Sequence, residues 1–238
     1  MPFTISPREL LESGVHFGHK VSRWNPKMAP FIFGKRNLIH IIDVKSTIRG
    51  MVTAYHFLER LAAQGHTILF VGTKRQAGAV IKEQASRVGM PYVSERWLGG
   101  TLTNYDTIRK RLHRLREIET WEKEGTLQRY SKKEQSSILR EKRKLLRNLD
   151  GIRSMDRLPT CLVIVDPKAE AIAVAEAAKI GAATIALIDS DGDPDRIDIP
   201  IPGNDDSMKV IKIVMSRLAD AVGEGKVKAV GTVAPPPE

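Results

Sequence analysis

The chain of 238 residues holds a single cysteine, Cys161, so no internal disulfide can form and a reducing compartment is expected. Cys161 lies in the apolar run Cys161-Leu162-Val163-Ile164-Val165, which predicts an inert core thiol rather than a nucleophile. No apolar run approaches the roughly 20 residues needed to cross a bilayer. The opening Met1-Pro2-Phe3-Thr4-Ile5-Ser6-Pro7-Arg8-Glu9 has neither the basic start nor the apolar centre of a signal peptide, so a cytoplasmic protein without membrane contact is expected. Nucleotide fingerprints are missing as well. No G-x-G-x-x-G follows a predicted strand, and Phe70-Val71-Gly72-Thr73-Lys74-Arg75-Gln76 lacks the second glycine and the Gly-Lys-Ser/Thr order of a P-loop. A nucleotide or sugar-phosphate enzyme, with Asp166 and Asp189 closing their strands, is therefore a second reading that no complete site supports.

Positive charge is abundant, and it is unevenly placed. The formal net charge is +10. Residues 1–103 carry fourteen basic against six acidic side chains, residues 104–150 fourteen against eight, and residues 151–238 ten against fourteen. A polyanion is the natural partner for such a division, because each paired phosphate releases condensed counterions. The acidic final third is expected to point away from RNA and suits a protein-docking face.

Short apolar runs alternate with helical patterns, which predicts a parallel sheet covered on both faces. The candidate strands are Leu38 to Ile42, Ile68 to Val71, Tyr92 to Ser94, Leu162 to Val165 and Thr184 to Ile188. Pro200 and Pro202 restrict a further extended piece, Ile197 to Ile201, to an edge or a loop. Helical patterns run over Ser46 to Ala63, Gln76 to Val88, Glu170 to Ile180 and Asp206 to Val222. The fold class predicted is α/β, a doubly wound five-stranded parallel sheet formed by residues 1–103 and 151–225. Residues 104–150 interrupt it with Ile108, Leu112, Leu115 and Ile118 at helical spacing, a stop at Gly125, and a capping box at Ser131-Lys132-Lys133-Glu134. Two helices of about 20 residues would make an antiparallel coiled-coil hairpin roughly 30 Å long. The tail, residues 226–238, ends in Ala234-Pro235-Pro236-Pro237-Glu238 and is expected to be disordered.

Asp189-Ser190-Asp191-Gly192-Asp193-Pro194-Asp195 alternates carboxylates, yet Pro194 and Pro200 occupy the positions where a calcium loop needs glycine and a bidentate glutamate, so a turn is expected. His16 and His19, with Asp189, Asp205 or Asp206, are candidate ligands for zinc or magnesium, although no cysteine lies nearby and no cofactor is the main expectation. Aromatic and cationic residues interleave on Gly/Pro-rich loops in Arg23-Trp24-Asn25-Pro26-Lys27-Met28, in Phe31-Ile32-Phe33-Gly34-Lys35-Arg36-Asn37, and in Arg96-Trp97-Leu98-Gly99-Gly100-Thr101-Leu102-Thr103-Asn104. Guanidinium groups pair phosphates while rings stack on exposed bases. The candidate RNA-binding residues are thus Arg23, Trp24, Lys27, Lys35, Arg36, Arg96, Trp97 and Asn104. Lys74 and Arg75 join them at the glycine turn, where a helix start can hold a phosphate, as do Arg109, Lys110, Arg111 and Arg114 on the first hairpin helix. Trp24 and Trp97 have the alternative of sealing the ends of the sheet.

These segments, together with Leu10-Leu11-Glu12-Ser13-Gly14-Val15-His16-Phe17-Gly18-His19, Ile39-His40-Ile41-Ile42-Asp43, Val165-Asp166-Pro167 and Ile201-Pro202-Gly203-Asn204-Asp205-Asp206, resemble the bacterial small-subunit ribosomal protein S2 family over residues 5 to 225. The resemblance implies a flavodoxin-like sheet with an inserted coiled-coil hairpin and no catalysis. It further implies a structural, non-homo-oligomeric role in the small subunit, bound to its rRNA between head and body. Other small-subunit proteins would be partners, notably ribosomal protein S1, which the family helps to dock.

Overall fold

The computed structural model describes residues 6–231. Helix α1 (Pro7–Ser13) leads into three short strands, β1 (Phe17–Lys20), β2 (Ile32–Arg36) and β3 (Ile39–Ile42), paired antiparallel in the order β1-β3-β2. The expectation that Leu38 to Ile42 joins the parallel sheet is therefore corrected. Arg36 pairs with Ile39, and the intervening Asn37 and Leu38 both take positive φ, 50° and 61°. This is the backbone of a two-residue hairpin turn, so the strand is captured by its immediate predecessor in the chain.

The main sheet consists of β4 (Ile68–Val71), β5 (Tyr92–Val93), β6 (Cys161–Val165), β7 (Ala183–Ile188) and β8 (Ile199–Pro202), all parallel, in the order β5-β4-β6-β7-β8. Counted from β4 this is the flavodoxin-like 2-1-3-4-5 arrangement. Every residue of β4 and β6 is buried, as strands covered on both faces require. Alternation then sorts the side chains. Ile68 and Phe70 meet α2 (Val44–Ala63), α3 (Gly78–Arg87) and α7 (Met208–Gly231), while Leu69 and Val71 meet α6 (Ala171–Ile180) and the root of the helical excursion. The proline-containing β8 supplies the fifth strand and lies at the edge. Cys161 is fully buried, and burial pushes its thiol well above the ordinary range, in keeping with a core role.

The expected tail begins later than residue 226. Helix α7 continues to Gly231 because Gly225 lets it approach α2 closely, where a Cβ would stand 2.3 Å from the Glu59 carbonyl oxygen. Lys226 then donates to the Val88 carbonyl at 2.6 Å, and Lys228 pairs with Glu59. The remaining tail residues, 232–238, lie outside those described.

Between β5 and β6 the chain leaves the sheet through α4 (Tyr105–Lys123) and returns through α5 (Lys132–Leu149). At 1.5 Å per residue, α4 is about 28 Å long. Ile108, Leu112, Leu115 and Ile118 form its buried stripe. The turn closes as expected: Gly125 is left-handed at φ 73°, and Ser131 and Glu134 exchange the two bonds of a capping box before α5. Arg114 with Glu141 at 3.4 Å, and Lys142 with Glu122, link the two helices.

Candidate nucleic-acid interface

Two polar assemblies bear on which cations are available to a partner. The first lies at the carboxyl ends of β4, β6, β7 and β8, the crevice where open α/β sheets place ligands. Here Lys74 reaches Asp205 and Asp206, each at 2.6 Å, and Asp166 at 3.1 Å. His19 on β1 adds its Nδ1 to Asp189 at 3.0 Å and its Nε2 to Asp206 at 3.5 Å. The hydrogen bond to Asp189 raises the His19 imidazole to about 9, against burial that would lower it. Burial, with repulsion from Asp166, pushes Asp205 up to about 7 despite the Lys74 ammonium. The crevice is thus filled by the protein's own ion pairs. Of the residues considered as metal ligands, His19, Asp189 and Asp206 converge, Asp205 bonds Lys74, and His16 packs on Phe17 at 4.1 Å between ring centroids. No group of three or more His, Cys, Asp or Glu is arranged to hold a metal among the described residues.

The second assembly anchors the helical excursion. Glu176 on α6 is buried and accepts from Trp97 Nε1 at 3.1 Å, from the Gly100, Leu102 and Thr103 amides at 2.8, 2.9 and 3.2 Å, and from the Thr103 hydroxyl at 3.3 Å. Burial alone would raise this carboxyl, but the bonds from Leu102, Trp97, Gly100 and Thr103 outweigh it and hold it below the ordinary carboxylate range. Glu176 is not among the candidate residues that the sequence suggests. Its signal was a lone carboxylate on the buried stripe Ala173, Ala177 and Ile180.

The candidate RNA-binding residues divide accordingly. Trp97 is 7% exposed with its N–H committed to Glu176, so it seals the sheet and has no face for a base. Lys74 is the half-buried cation just described, held by three carboxylates. Lys27 is exposed yet paired with Asp193 at 3.0 Å and Asp195 at 2.8 Å, and Arg23 stands 3.9 Å from Asp191. The acidic loop therefore faces N-terminal cations instead of forming a separate negative surface, which corrects the simple division of charge along the chain. Arg114 bonds Glu117 at 3.3 Å and Glu141 at 3.4 Å and lies over the Trp121 ring at 4.9 Å. Trp24 is 36% exposed and packs against His40, the rings tilted by 34° with 4.9 Å between centroids. Asn104 precedes α4 and accepts from the Thr107 hydroxyl at 2.8 Å.

The others remain open to solvent. Lys35 and Arg36 end β2 just before the β2–β3 turn, Arg75 follows the glycine turn after β4, and Arg96 precedes the Glu176 anchor. Arg109, Lys110 and Arg111 lie on the first two turns of α4. All seven are exposed and make no ion pair or side-chain hydrogen bond among the described residues.

Comparison with known proteins agrees with this layout. A family model described as Ribosomal protein S2 matches residues 10–225. The chain is also similar to the small ribosomal subunit protein uS2 of Rhodopirellula baltica, with 58% identity over 219 residues, covering 92% of this chain and 84% of that protein. With the match spanning the sheet, the excursion and most of α7, the chain belongs to the ribosomal protein S2 family, whose members are structural proteins and not enzymes.

Proposed function

We propose that the chain is a cytoplasmic, ribosome-associated component of the small subunit that binds its rRNA between head and body. The observation that carries the RNA reading is the set of seven exposed cations left without internal partners, gathered on the β2–β3 turn, the glycine turn after β4, the loop before the excursion, and the start of α4. Exposed and unpaired, these side chains are free to release counterions from phosphate. Recognition rests on RNA shape and unpaired bases, since side chains cannot read the deep groove of an A-form helix. The family resemblance adds docking of ribosomal protein S1. Small subunits lacking this chain should then fail to retain S1 in sedimentation, and normal retention would reject that part.

Salt titration tests the RNA contact directly. Replacing Arg96, Arg109 and Lys110 together by alanine should lower the slope of log affinity against log salt by about two to three, three phosphate contacts at 0.7–0.9 each. An unchanged slope would remove these residues from the interface.

A further inference from the structure

At the root of the excursion, α4 and α5 part around a cleft of about 240 Å³. Its floor is aliphatic, made by Leu98, Leu145 and Leu149, which pack on the cluster beneath the sheet. Its rim is cationic. Arg111 and Lys144 are exposed and have no ion-pair partner among the described residues, while Arg114 shares Glu141, the single carboxylate of the lining. Asn148 completes the wall, and its Oδ1 is buried without a hydrogen-bond partner.

The volume is several times that of a water, about 30 Å³, and falls below the roughly 300 Å³ of sites that enclose a whole cofactor. A single ring system fits. An aliphatic floor takes the face of such a ring, and three cations against one carboxylate favour an attached anion. An apolar side chain from a protein partner would use the floor but leave Arg111 and Lys144 unanswered.

We propose that this cleft receives one nucleoside phosphate, its base on Leu98 and Leu145 and its phosphate on Arg111 and Lys144. Reading its source as an unpaired nucleotide of RNA rests on the function proposed above. Free nucleotide shares the same chemistry, and the experiment separates the two.

The test uses the full chain with two probes, a short single-stranded RNA carrying one central 2-aminopurine, and adenosine 5′-monophosphate alone. Binding of the RNA should change the 2-aminopurine fluorescence. Leu145→Trp, which fills the cleft without altering charge, should abolish that change and weaken binding about tenfold. The double variant Arg111→Ala, Lys144→Ala should weaken binding similarly, and it guards against misfolding of the tryptophan variant because both side chains are exposed. RNA binding with silent fluorescence, or with the signal intact in Leu145→Trp, overturns the cleft while the RNA reading stands. If RNA does not bind at all, the RNA reading fails and the monophosphate decides. Saturable binding lost in Leu145→Trp makes the cleft a free-nucleotide site, and no binding overturns it.

Discussion

The sheet's carboxyl edge and the root of the helical excursion are both rich in cations, but they use them in opposite ways. At the edge, Lys74 is surrounded by Asp166, Asp205 and Asp206, and His19 by Asp189 and Asp206. At the root, Glu176 is the only buried charge among the described residues; it is satisfied largely by backbone amides, and the cations stay outside in water. An amide-bound carboxylate fixes a loop without consuming a cation. The edge holds its loops by ion pairing and so has little positive charge left to offer. The root holds its loop by hydrogen bonds to one acid, leaving Arg96, Arg109, Lys110 and Arg111 for a partner.

The sharpest way to break this contrast is to remove the acid at the root. Glu176→Ala strands the Trp97 N–H and three backbone amides in a buried setting, and should cost about 3 kcal/mol of stability. Denaturant unfolding would measure it. Glu176→Gln keeps one acceptor oxygen and should recover part of the loss. A destabilisation below about 1 kcal/mol would mean that the loop from Trp97 to Thr103 is held by Trp97 and Leu102 packing alone.

The edge should instead reveal itself through pH. His19 is raised to about 9 in the folded protein from an ordinary 6.5. A raised base stabilises the fold fully below the unfolded value and loses that contribution as pH climbs through the folded one. Stability should therefore fall between about pH 6.5 and pH 9, by about 3 kcal/mol. Asp205 adds to the same trend earlier. Its folded value near 7 exceeds the ordinary 3.8, so the native state holds the extra proton and stability declines as pH rises between the two. His19→Gln should flatten the upper part of the profile and leave the lower part in place. A profile unchanged by the substitution would show that His19 does not titrate as part of this network.

Much of the architecture was legible because local rules and tertiary packing agree. The hydrophobic runs at Ile68 and Leu162 became buried parallel strands, and the Ser131 capping box opened α5 where its spacing indicated. The helical pattern expected over Glu170 to Ile180 is α6, packed on the sheet through Ala173 and Ala177, and Gly181 closes it at φ 71°. Two misreadings share one cause, partners that local pattern cannot name. Leu38 to Ile42 has the composition of a central strand, but its pairing is settled by a turn in which Asn37 and Leu38, neither a glycine, take positive φ. Residues 226–231, expected in the tail, instead extend α7, where Gly225 serves the close approach to α2. The candidate interface was less legible for the same reason. Charge type is visible in a sequence, while whether Lys27 or Lys74 meets a carboxylate some 130 or more residues away is decided only by folding.

Lys27 offers the finest test of the comparison, because it looks like an RNA contact in sequence and like an internal partner in space. Its ammonium lies between Asp193 and Asp195, and those bonds raise its pKa rather than leave it free to exchange for phosphate. To reach RNA it would have to release two carboxylates, which would then repel the incoming backbone. Lys27→Ala should accordingly leave the salt slope of RNA binding unchanged, where Arg96→Ala lowers it by about 0.7–0.9. Removing the acids should convert one behaviour into the other. In Asp193→Asn, Asp195→Asn the lysine is released, affinity should rise, and a further Lys27→Ala should now lower the slope as Arg96→Ala does. Equal slope losses for Lys27→Ala and Arg96→Ala in the unaltered acidic background would show that the Asp193–Asp195 loop yields to RNA, and that pairing within the chain does not determine which cations bind.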